Sequence, residues 1–274
     1  MEDDEADAEK AVNAYNTLKD NGMKVFIGTV TTGACLSVVS QTKADNMFQI
    51  TPSASAAKVI ANDNCFQVCF TDPNQGTASA DYIASKGLAT KVAVIYNSSD
   101  AYSSGIYDNF KAEAAAKGLD IVASEAFTGD SKQDFSSQLS KVKASGAELI
   151  FLPIYYQEAS LILSQAKNAG ITAKFFGCDG LDGLLNIENF DKSLAENVML
   201  LTPFAANATD ETTKKFVAAY NAKYDPSTLN QFAADAYDAV YVVKAAAEKS
   251  RCYRRYERFR YLQCSQGSHD RNHR

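Results

Sequence analysis

Two small, hydroxyl-rich loops carry the residues best suited to chemistry. Thr29–Gly33 (TVTTG) follows the apolar run 24–28 (KVFIG), and Thr51–Ser55 (TPSAS) follows 47–50 (MFQI). Helical patterns come after each loop, at 34–44 and 56–61. Each loop therefore puts Ser or Thr where a helix N-cap belongs. A helix N-terminus offers unpaired N–H groups and the positive end of the helix dipole. Two such ends at the carboxyl ends of neighbouring strands make a site for a small anion such as a carboxylate. Ordinary capping is the simpler reading of either loop alone; the repetition points to a ligand site.

Catalytic patterns are scarce. There is no GxGxxG and no GxxxxGK[ST]. There is no GxSxG elbow, and the first 250 residues hold no histidine, which rules out a Ser–His–Asp triad in the body. Cys178–Asp179 lacks a histidine base for thiol catalysis. A carboxylate pair of the glycosidase kind stays open on residue type alone. The six cysteines, Cys35, Cys65, Cys69, Cys178, Cys252 and Cys264, form no CxxC pair. With no histidine in the body, zinc is not expected; buried free thiols are, with an extracellular disulfide as the alternative. No metal and no cofactor is implied.

A chain of 274 residues has room for one or two domains with a sizeable core. No run of 18 apolar residues occurs. The net charge of −6 argues against nucleic acid as a partner. That charge conceals a break: all seven arginines and both histidines lie in 251–274, which carries +5, against −11 in the first 250 residues.

The elements that position the loops alternate along the chain. A helix is expected over 6–19 and strands at 65–70, 91–96 and 121–127. A polar loop at 97–105 holds Tyr102, and helices are expected at 76–86 and 107–117. Further strands are expected at 149–153, 175–177 and 198–202, with helices at 135–145, 159–169, 212–224 and 231–249. This alternation reads as α/β with parallel sheets covered on both faces.

IGTVTTGACLSVV followed by FQITPSASA resembles the first lobe of the solute-binding proteins of ABC transporters, nearest the branched-chain amino-acid-binding group. TDPNQG (71–76), VAVIYNSSDAYSSG (92–105), LIFLPIYYQEA (149–159), FFGCDG (175–180) and FAADAYDAVYV (232–242) follow in that family's order, so the likeness covers roughly 2–250. It implies the two-lobed type I periplasmic-binding-protein fold, with lobe I formed by 1–71 and 204–250 and lobe II by 72–203. It also implies that the lobes close on a small amino acid and deliver it to a membrane permease, the binding protein being a monomer outside the cytoplasm. By position, Thr32 and Ser55 would donate to the ligand carboxylate. Ala54 belongs to the same loop, and Ser53 would offer its backbone carbonyl to the ammonium. Asp179 would be the anionic partner of the ammonium, where relatives often have glutamate, and Tyr102 and Tyr155 would wall the side-chain pocket. An α/β hydrolase and a sensory ligand-binding domain of the same fold are the alternatives.

The family pattern also implies that a first strand and helix, and an export signal, precede Met1, so that lobe I is incomplete. The tail 251–274 is expected to be a frameshifted, non-native or disordered segment. Read one base over, permitted codons yield acidic, arginine-free, helix-forming text like that of the body.

Overall fold

Short apolar runs become strands that pair only in parallel, and the helices between them supply the crossovers that parallel pairing needs. The computed structural model describes residues 1–249. It divides into two units: Met1–Phe70 together with the chain from Phe232, and Thr71–Gln231. The expectations for Cys252, Cys264 and the tail 251–274 lie outside the described residues. No helix among the described residues is long and apolar enough to cross a membrane.

Unit one contains α1 (Ala8–Asp20), β1 (Val25–Ile27), α2 (Thr32–Ala44), β2 (Phe48–Thr51) and β3 (Cys65–Gln67). The strands form a sheet in the order β1-β2-β3. Asp7 caps α1 by accepting from the N–H groups of Glu9 and Lys10. Tyr15, on the buried side of α1, packs edge-on against Phe26 of β1 and donates its hydroxyl to Asp45 at 2.8 Å. Ala34 and Val38 of α2 close this core. The helix expected at 56–61 is instead a single 3-10 turn, Ala57–Ile60. Four residues cannot carry a helix dipole, so only the first loop leads into a true helix N-terminus.

Unit two contains α3 (Asp72–Ser85), β4 (Lys91–Asn97), α4 (Ala101–Ala116), β5 (Asp120–Phe127), α5 (Ser136–Ser145), β6 (Leu149–Leu152), α6 (Tyr156–Asn168), β7 (Lys174–Gly177), β8 (Met199–Leu200) and α7 (Glu211–Asn221). The sheet order is β5-β4-β6-β7-β8. Alternation along the central strands splits the core in two. Val92, Val94, Leu149 and Phe151 face one cluster with Ile83, Ile106 and Phe110. Ala93, Ile95, Ile150 and Leu152 face another with Leu139, Val142 and Ile162. Both faces are covered, as a parallel sheet requires. The strand order reverses at β4, whose neighbours are β5 and β6; such a switch point is where open α/β sheets bind ligands.

Two expectations are corrected in unit two. Tyr102 does not sit in a loop. Asp100 accepts from the Ser103 N–H at 3.1 Å and starts α4 at Ala101, which places Tyr102 in the first helical turn. The chain also does not return to unit one at Pro203. Thr202 donates its hydroxyl to the Gln231 side chain at 2.8 Å, and the Gln231 N–H donates to Asp182 at 2.7 Å, so the stretch after β8 stays with unit two up to Gln231. The last helix, α8 (Gln231–Lys249), begins at that residue and continues in unit one.

Helices α3 and α4 touch through Gly76. A Cβ there would come within 2.5 Å of the Ile106 carbonyl oxygen and 2.7 Å of the Phe110 nitrogen, both backbone atoms. Gly76→Ala is expected to destabilise the protein by about 1–3 kcal/mol, because neither atom can yield without moving a helix. Urea denaturation measures this; unchanged stability would show that the two helices are not locked.

Candidate functional site

In unit one the site loops follow β1 and β2, and a ladder of side chains joins them. Gln49 donates to the Gly28 carbonyl at 3.0 Å, Thr51 to the Thr29 carbonyl at 2.5 Å and Ser53 to the Val30 carbonyl at 3.0 Å. These donors are alternate residues of β2 and its extension, so they share one face. They take three successive carbonyls of the first loop. The fourth rung runs the other way: the Ser55 N–H donates to Thr32 Oγ1 at 3.1 Å, and Ala56 N–H adds a longer bond at 3.4 Å.

This places Thr32 and Ser55 in direct contact. The Thr32 oxygen accepts from both amides, which leaves its own hydrogen to donate. Ser55 Oγ and Thr31 Oγ1 are buried and have no hydrogen-bond partner among the described residues. Ala54 is fully buried, its N–H held by Thr51 Oγ1 at 2.9 Å. Ser53 uses its hydroxyl on Val30. Thr31, Gln49 and Thr51 were not singled out from sequence as site residues. The period-two run of polar residues Gln49, Thr51, Ser53 and Ser55 through an otherwise apolar stretch was the available signal.

In unit two the site follows the carboxyl ends of β4, β6 and β7. Tyr102 on α4 donates its hydroxyl to Asp179 Oδ1 at 2.6 Å and accepts from the Gly180 N–H at 2.9 Å. Tyr155, at the N-cap of α6, is half-buried and stacks on Tyr102 with ring centroids 4.7 Å apart. The three unit-two residues expected from sequence are therefore one cluster. Gly180 lets it form, since a Cβ there would lie 2.7 Å from both Tyr102 Oη and the Ile154 carbonyl. Gln75 and Gln231, not foreseen, hold the Asp179 backbone: its N–H donates to Gln75 Oε1 at 3.2 Å, and Gln231 Nε2 donates to its carbonyl at 3.2 Å.

Asp179 is 3% exposed, and among the described residues no lysine pairs with it. Burial pushes its carboxyl up to about 6, against the lowering pull of the Tyr102 hydroxyl and the two glutamine side chains. The Tyr102 phenol is driven well up by burial and by the adjacent Asp179 charge. The four cysteines of the described residues, Cys35, Cys65, Cys69 and Cys178, are buried, and no disulfide joins any two of them. Burial raises the thiols of Cys35, Cys65 and Cys178, which keeps them protonated and inert.

The family model for periplasmic binding proteins matches residues 1–258. The chain belongs to that family. That family is one of binding proteins rather than enzymes. The Leu/Ile/Val-binding protein homolog 3 of Brucella melitensis is 32% identical over 251 residues, covering 90% of this chain and 66% of the relative. The chain thus spans just under two thirds of that relative's length. The branched-chain amino acid transporter substrate binding protein of Streptococcus pneumoniae, solved in complex with isoleucine, is 26% identical with a TM-score of 0.81, over 96% of this chain and 74% of that one. A solute binding protein of an ABC transporter from R. palustris, in complex with benzoate, has a TM-score of 0.80 at 19% identity, over 96% and 71%. The likeness to the benzoate complex speaks to fold alone: the type I periplasmic-binding-protein fold.

The raised carboxyl has a consequence for stability. An unfolded aspartate titrates near ~4, so between about pH 4 and 6 the folded state holds more protons than the unfolded state. Stability contributed by Asp179 therefore falls as pH rises through that window and stays low above it. Asp179→Asn keeps the shape and removes the buried charge. In the ligand-free protein the variant is expected to be the more stable at pH 7, by up to roughly 3 kcal/mol, with the difference vanishing near pH 4. Urea unfolding of both proteins across pH checks this, and a variant less stable than wild type at pH 7 contradicts it.

Proposed function

We propose that this periplasmic binding protein takes up a small aliphatic amino acid of the leucine, isoleucine and valine class outside the cytoplasm and hands it to the permease of an ABC importer. The observation that carries the reading is Asp179: a buried carboxylate that no lysine neutralises among the described residues. A ligand ammonium is the charge it lacks. On this reading Thr32, Ser55 and the N-terminus of α2 serve the ligand carboxylate, Thr31 adds a second unpartnered hydroxyl, and the Ser53 carbonyl assists the ammonium. The stacked rings of Tyr102 and Tyr155 offer the aliphatic side chain an apolar wall.

The name of the Brucella relative and the isoleucine complex agree with this reading. Benzoate, bound by one neighbour in fold, carries no ammonium and would leave Asp179 uncompensated. Calorimetric titration with L-leucine, L-isoleucine, L-valine and benzoate at pH 8 tests the reading. The amino acids should bind and benzoate should not. Asp179→Asn should weaken amino-acid binding by about 3–5 kcal/mol, the usual result of removing one partner of a buried pair. Benzoate binding without amino-acid binding would overturn the proposal.

A further inference from the structure

The chain crosses between units at Phe70/Thr71 and again at Gln231/Phe232, and a buried glutamine sits on the unit-two side of each crossing. Gln75 lies near the start of α3, the first helix after the outward crossing, and Gln231 is the last residue before the return. Both are 0% exposed, and both bond to the backbone of the same residue, Asp179. Gln75 Oε1 accepts from the Asp179 N–H and Gln231 Nε2 donates to the Asp179 carbonyl, each at 3.2 Å. Gln231 is itself fixed at two further points, by the Thr202 hydroxyl on its Oε1 and by its own N–H on the Asp182 carboxylate. Asp179 thus hangs between the two segments through which the chain leaves and re-enters unit one.

We propose that Gln75 and Gln231 are positioning residues that fix the placement of Asp179 by holding its backbone and tie it to both crossings. The inference rests on Asp179 being the ammonium partner. Both glutamine side chains also lower the Asp179 titration, against the burial that raises it. The other groups facing this turn are Tyr102 from α4, Cys178 before Asp179, Asp72 of α3 beside Cys178, and Asp182, whose carboxylate takes the Gln231 N–H. None of these is a cation; among the described residues the Tyr102 hydroxyl bonds the carboxylate directly, and the Gly180 backbone and the two glutamine side chains add to the pull toward the ionised form. A residue clasped at both its N–H and its carbonyl loses little further freedom when a ligand binds, and this pre-organisation favours affinity.

The test uses Gln75→Met and Gln231→Met, which keep side-chain length and remove the amide bonds. In the ligand-free protein, the Asp179 midpoint read from its 13C carboxyl resonance should lie higher in each variant than in wild type. L-isoleucine affinity at pH 8, measured by calorimetry, should fall about tenfold in each, roughly the worth of one buried hydrogen bond. A merely structural role lowers the melting temperature and leaves the midpoint in place, so unmoved midpoints in both variants overturn the proposal. If wild type binds no amino acid, the proposed function fails while the ligand-free midpoints still decide the positioning role. Should the variants not fold, hydrogen exchange in wild type decides: the Asp179 amide and the Gln231 side-chain amide should both be protected, and fast exchange at both overturns the proposal.

Discussion

A carboxylate removed from water without a cation is costly, and unit two is built to hold one at Asp179. The Tyr102 hydroxyl donates to it, and Tyr102 can reach only because residue 180 is glycine. Tyr102 in turn depends on Asp100 starting α4 early enough to place it in the first turn. Helix α4 lies close against α3 because residue 76 is glycine, and α3 carries Gln75 to the Asp179 amide. Two glycines, one helix cap and two glutamines therefore converge on one charged side chain. The strand order serves the same end, since the reversal at β4 brings the loops after β4, β6 and β7 side by side.

Unit one has the opposite character. Its loops hold no charged side chain between Thr29 and Ser55 at the strand ends, apart from α2's own surface residues, and their chemistry is that of hydroxyls and amides. The ladder from β2 turns the carbonyls of Gly28, Thr29 and Val30 onto protein donors. With those acceptors engaged, hydrogen-bond donors are what is left over: the Thr32, Thr31 and Ser55 hydroxyls and the first amides of α2. On the proposed reading, the donors of unit one suit a ligand carboxylate and the Asp179 carboxylate of unit two suits a ligand ammonium.

Much of this could be read from sequence, and what escaped did so for physical reasons. The period of apolar residues located nearly every strand and helix, because strands such as Leu149–Leu152 are buried on both faces and read as continuous apolar runs. The segment after Ala56 has the composition of a helix but closes only one 3-10 turn before β3 begins, and composition does not report length. Tyr102 reads as a loop residue in sequence, since the residues around Asp100 look equally like a turn and a cap. The grouping of Tyr102, Tyr155 and Asp179 came through family resemblance, their separation in sequence being too large for any local pattern to show it. Gln75 and Gln231 were invisible because an amide on a helix looks the same in sequence whether it faces water or a buried peptide. The return crossing was misplaced by reading Pro203 as a boundary, when the bonds that decide it are made by Gln231.

The arrangement divides selectivity unequally. A ligand that brings an ammonium to within about 4 Å of Asp179 gains roughly 4 kcal/mol at the effective dielectric typical of protein sites, and an added negative charge at that distance loses as much. A methylene more or less in an apolar pocket changes binding by only about 1–3 kcal/mol. On the proposed reading, the charge pair would separate α-amino acids from simple carboxylic acids far more sharply than the Tyr102–Tyr155 wall would separate one aliphatic side chain from another. A wall made of two stacked rings also presents a smooth face with a polar tip already engaged by Asp179 and Gly180, so it offers no hydrogen bond by which to tell side chains apart. On the proposed reading, this geometry makes a binding protein that is strict about the head group and tolerant of the aliphatic side chain, and the strictness originates in one aspartate that has no cation beside it among the described residues.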